Sequence, residues 1–216
     1  MFSGELRRLC ECSPESFWRL SIQLCAASDE FVAMCGARGV GQVGGSSGPY
    51  YPRAVAKLRS LASDSRWRVR EAVAMSLQGL IVDRPETASD LETWVTGGAW
   101  FEMRAVAAGV AEPRLMKTPG FAGKALGLQE LIMARLLGSE DRRSEGFEAL
   151  RKCLAYSISV VVAAAPEEGF LFLREIAGRA DPDAVWICRQ NLMKNRLRSK
   201  FPKEVAAIER NLREGA

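Results

Sequence analysis

The chain has 216 residues, 48% of them apolar and 26% charged, with a net charge of +4 and no histidine. A chain of this length buries roughly 70% of the surface its unfolded form exposes, so it holds a core unaided, and its composition excludes a disordered, collagen-like or membrane-embedded class. Without histidine, a serine or cysteine nucleophile lacks its usual general base, which argues against conventional hydrolase chemistry.

In chain order, the N-terminal residues carry Glu5, Arg7 and Arg8 and no apolar stretch of signal-peptide length, so a cytoplasmic location is expected. Four of the six cysteines, Cys10, Cys12, Cys25 and Cys35, fall in the first 35 residues. Two residues apart on a helix, Cys10 and Cys12 point to nearly opposite sides, and no CxxC pair is present. Free thiols are therefore expected, with no metal and no other cofactor. Ser13-Pro14 opens the first helix, because proline is tolerated where its missing N–H has no partner anyway.

Residues 36–49 hold six glycines, and Gly39 to Ser46 has the glycine spacing of a phosphate loop. Gly45 stands where the lysine of such a loop belongs and no strand precedes it, so a flexible connecting loop is expected and no nucleotide site. Val69, Val73, Leu77 and Leu80 then mark a buried helical stripe. Pro85 starts the next helix, Gly97-Gly98 breaks the chain, and Thr118-Pro119-Gly120 breaks it again. Phe121, Ala125, Leu128, Ile132 and Leu136 form the following stripe, which stops at Gly138-Ser139. Phe147, Leu150, Leu154, Ile158 and Val161 form another.

The longest apolar run, Ile158 to Pro166, is far short of the roughly 20 residues that cross a bilayer, so it reads as a buried core helix and no membrane partner is expected. Pro166 and Asp181-Pro182 open the last large helices, whose stripes are Val185, Cys188 and Leu192, then Val205, Ile208 and Leu212. Strand-like alternation is absent. The expected fold class is all-α, in one domain over residues 1–216.

Asp64 to Arg70 and Asp183 to Arg189 each place an acid six residues before an arginine, with Trp67 and Trp186 in the same internal slot. Gly98 to Arg104 keeps the spacing and the arginine, and Glu145 to Arg151 keeps both acid and arginine. Arg70, Arg104, Arg151 and Arg189 recur at intervals of 34, 47 and 38 residues, the range of helical repeats that stack to bury their apolar faces. Here the sequence resembles the HEAT-repeat family, over roughly residues 50–213.

The resemblance implies a right-handed superhelix of α-helical hairpins in which acid and arginine form a ladder between layers, assigning that role to Asp64, Arg70, Arg104, Glu145, Arg151, Asp183 and Arg189. The stretches Leu150 to Tyr156 and Trp186 to Leu197 look like bacterial HEAT-repeat proteins grouped with alkylpurine DNA glycosylases, a distant similarity that implies the same solenoid.

Charge and aromatic residues supply the candidate contacts. Arg53, Lys57, Arg59, Arg66, Arg68 and Arg70 accompany a single acid, and Arg189, Lys194, Arg196, Arg198, Lys200 and Lys203 accompany none. Such blocks neutralise phosphates or are simply solvated helix ends. Trp67, Trp100 and Trp186 lie near helix starts, where an aromatic beside an arginine stacks on a base or packs between layers.

Two functions stay open. One is a non-catalytic scaffold holding a protein or peptide on its concave face. The other is a DNA-binding repair protein of the glycosylase type, its contacts drawn from Arg66, Trp67, Arg68, Trp100, Trp186, Lys194, Arg196 and Arg198. Glycosylases of that group set a carboxylate among the aromatics; Glu71 and Glu102 are its only stand-ins, and no residue is assigned a catalytic role.

Overall fold

The structure, a computed structural model, describes residue 8 and residues 12–214; Glu5, Arg7 and Cys10 lie outside the described residues. All regular structure among the described residues is helical. Contacts gather the chain into two compact units, one ending at Gly109 and the other beginning at Val110. None of the described helices is long and apolar enough to cross a membrane.

The first unit contains α1 (Pro14–Cys25), α2 (Glu30–Ser46), α3 (Tyr51–Leu61), α4 (Trp67–Asp83), the short α5 (Thr87–Asp90) and α6 (Glu92–Gly97), and most of α7 (Trp100–Val110). Its centre is α2, which packs against α1, α3 and α4. Small residues make this possible. A Cβ on Gly36 would overlap the α1 backbone, 2.7 Å from the Ser21 carbonyl oxygen; one on Gly41 would stand 2.5 Å from the Ser76 Cβ, and one on Gly44 would stand 2.5 Å from that of Ala54. Across the same contact the Ser76 hydroxyl donates to the Ala37 carbonyl.

The glycine-rich stretch expected to be a flexible loop over 36–49 is thus mostly helix. It is helical through Ser46 and then turns through a short 3-10 segment, Gly48–Tyr50. Glycine costs about 0.5–1 kcal/mol in a helix relative to alanine, but here each missing side chain lets a neighbouring helix approach, and burial outweighs propensity. Asp29 starts the helix by accepting from the N–H groups of Phe31 and Val32. Arg84 donates from Nε to the Gly44 carbonyl near its end.

The second unit contains α8 (Phe121–Leu137), α9 (Glu145–Val162), α10 (Pro166–Ala177), α11 (Pro182–Leu192), the short α12 (Asn195–Arg198) and α13 (Pro202–Glu214). Gly120, with φ of 73°, makes the left-handed turn into α8. Helix α9 packs against α8 and α11. Its core contact carries a polar pin: the fully buried Asn191 accepts from the Ser159 N–H and donates to the carbonyls of Leu154 and Ile187, each at 2.8 Å.

Two local expectations shift. Pro85 does not open a helix, since the chain turns through Pro85 and Glu86 before α5. The apolar run from Ile158 to Pro166 divides between the end of α9, a turn, and the first residue of α10.

Candidate functional site

In the first unit the site is built where α2 and α4 begin side by side. No side chain of its own N-cap residue, Arg66, caps α4. The vacancy is filled from α2: the Glu30 carboxylate accepts from the Arg68 N–H at 2.7 Å and from the Arg68 guanidinium at 3.0 Å. This places a negative charge at the positive end of the helix dipole. The guanidinium so held lies 4.2 Å from the Phe31 ring centroid and 5.3 Å from that of Trp67.

Phe31, Arg68 and Trp67 therefore form one continuous surface, in which Phe31 is 60% and Trp67 55% exposed. Along α4 the same helical stripe continues through Met75 and Val82, also exposed. Single exposed apolar residues are ordinary on a soluble protein, whereas a contiguous set marks a contact surface.

Most of the rest of the first basic block is engaged within the fold. Arg66 pairs with Asp64 at 2.7 Å and donates to the carbonyls of Cys25 and Ala27, tying the end of α1 to the start of α4. Hydrogen bonding to Arg66 holds the Asp64 carboxyl below its ordinary range, against a smaller opposing effect of burial. Arg70 donates to the Asp64 and Ser65 carbonyls and lies over Phe101. Arg53 lies over both the Trp18 and Tyr50 rings, which contact each other.

Both candidate carboxylates are also held: Glu71 by Arg104, and Glu102 by Arg59 at 2.7 Å. Trp100 is half-buried at the start of α7.

In the second unit Arg151 and Asp183, from two copies of the motif, meet at 2.6 Å, and the Arg151 guanidinium lies 3.8 Å from the Trp186 ring centroid. Arg142 joins them, pairing with Asp181 at 2.7 Å and Asp183 at 3.1 Å while donating to the Leu137 carbonyl at the end of α8. Arg189 donates to the Leu212 carbonyl. Glu145 lies exposed in the first turn of α9.

Arg198 pairs with Glu209 at 3.2 Å. Around it Lys194, Arg196, Lys200 and Lys203 stand outside the ion pairs of the described residues, all but the half-buried Lys194 exposed.

Sequence reasoning did not single out Glu30, Phe31 or Arg142. The first two carry a signal, since Asp29-Glu30 before an apolar run is a helix-start pattern. Arg142 sits in an irregular turn with no periodicity to mark it.

Cys25, Cys153 and Cys188 are buried free thiols, whereas Cys12 and Cys35 are exposed. Burial pushes the Cys188 thiol up to about 12. Among the described residues no three cysteine, aspartate or glutamate side chains are grouped to hold a metal ion. Comparison of the chain with family models, with curated proteins and with solved structures returns no match.

Proposed function

We propose that the chain is a non-catalytic scaffold of the HEAT-like kind, a right-handed superhelix of helical hairpins that holds a protein or peptide partner on its inner face. The observation that carries the reading is the contiguous exposed surface of Phe31, Arg68 and Trp67 with Met75 and Val82 on the same helical stripe. Aromatic and arginine side chains are the groups that most often dominate protein interfaces. The layered architecture is supported by the contact of Arg151 with Asp183, which joins successive motif copies in the second unit; in the first, Arg104 pairs with Glu71, one residue past its neighbouring copy.

Panning a displayed library of helical peptides against the chain tests this reading. Peptides are expected to be enriched, and bound peptide is expected to slow amide exchange in the first turns of α2 and α4. Enriched peptides that protect other helices and leave these unchanged overturn it.

A second reading, a DNA-binding protein of the glycosylase type, is favoured by one observation: Lys194, Arg196, Lys200 and Lys203 lie outside the ion pairs among the described residues. It requires duplex affinity that falls by orders of magnitude between about 50 and 200 mM salt. Charge reversal at Lys194, Arg196 and Lys200 then weakens binding while leaving helicity intact. Most of the first basic block supports it less, being engaged internally.

A further inference from the structure

In the second unit the last turns of α10, the turn after it, one face of α11 and the end of α13 line a cavity of about 500 Å³. Three arginines, Arg174, Arg179 and Arg189, line it together with Asp181, Asn211 and Leu212. The volume falls within the range of small-molecule sites, which combine apolar walls with a few converging polar groups.

The charge balance inside is positive. Asp181, the cavity's one carboxylate, is already committed: it accepts from the Asp183 and Ala184 N–H groups and pairs with Arg142. Burial pushes its carboxyl up, but the hydrogen bonds from the Ala184 and Asp183 N–H groups and from Arg142, together with the Arg142 charge, hold it below the ordinary range, so it stays ionised and occupied.

None of the three arginines is comparably saturated. Arg174 has no acidic partner among the described residues. Among the described residues Arg179 pairs only with Glu175, in an exposed i,i+4 contact that solvent screens. Arg189 donates one N–H to the Leu212 carbonyl and keeps other donors of its five. Guanidinium groups match phosphate and carboxylate oxygens in a two-point geometry.

We propose that this cavity binds a small organic dianion, its phosphate or paired-carboxylate head among the three arginines and a short apolar body against the Leu212 wall. The site is independent of the α2 and α4 surface, so either assignment stands if the other fails.

Titration calorimetry with phenyl phosphate and, separately, with glutarate tests it and tells a phosphate monoester from a dicarboxylate. One of the two is expected to bind with one-to-one stoichiometry. Arg174→Ala is expected to weaken binding by about tenfold or more and Arg174→Glu to abolish it. Arg174 is exposed, so both variants keep the fold, which circular dichroism verifies. Lys124→Ala, which removes an exposed cation of α8 outside the cavity lining, is expected to leave affinity unchanged. The proposal is overturned if neither compound binds, or if Lys124→Ala weakens binding as much as Arg174→Ala, the mark of general attraction to a basic surface.

Discussion

Asp64 and Arg66 show what a single residue does here. Arg66 binds its neighbour's carboxylate and the last carbonyls of α1 at once, so the pair links one helix end to the next helix start. The folded carboxyl titrates below its unfolded value of about 3.9. Its ionised form therefore stabilises the fold above that value, and the contribution is lost as pH falls through the lower folded value. Denaturant midpoints of Asp64→Asn against wild type are expected to differ at neutral pH and to converge in acid below both values.

Glycine positions give a second residue-scale test, of opposite sign at two sites. Gly36→Ala forces a methyl onto the α1 backbone and is expected to cost about 1–3 kcal/mol. Gly79→Ala, in α4 with nothing within 4 Å of the added methyl, is expected to stabilise by about 0.5–1 kcal/mol. Urea titration measures both. Thiol labelling at pH 8 is expected to reach Cys12 and Cys35 quickly and Cys188 only on unfolding, given its burial.

At the scale of elements, α4 depends on α2 for its N-terminal cap and α9 depends on α11 for its polar pin. Glu30→Ala removes a carboxylate from the α4 dipole and is expected to cost about 1 kcal/mol. Asn191→Ala leaves the buried Leu154 and Ile187 carbonyls without their side-chain donor, an expected loss of about 1–3 kcal/mol by denaturant titration.

These elements also show how far the sequence could be read. The stripes from Val69, Phe121 and Phe147 lie on real helices, and Asp181-Pro182 opens α11 with its carboxylate capping as the pattern requires. Local periodicity and capping carry that information. Helix α2 was hidden because glycine's propensity points to a loop, while its packing against Ser21, Ser76 and Ala54 is set by distant segments. The candidate site was half legible: Trp67 and Arg68 stood out, but their partners Glu30 and Phe31 lie more than 35 residues away, and only the fold brings them together.

For the whole molecule, most of the charge that suggests nucleic acid is spent within the fold in the first unit, while aromatic and apolar side chains remain open beside it. That contrast is why protein binding ranks above DNA binding. The most direct measurement is an equilibrium titration of a library-selected peptide into wild type and into a Phe31→Ala/Trp67→Ala double variant, at low and moderate salt. The scaffold reading predicts unchanged helicity, affinity reduced by about tenfold or more in the variant, since 1.4 kcal/mol is a factor of ten, and little response to salt. Equal affinity for both proteins contradicts it.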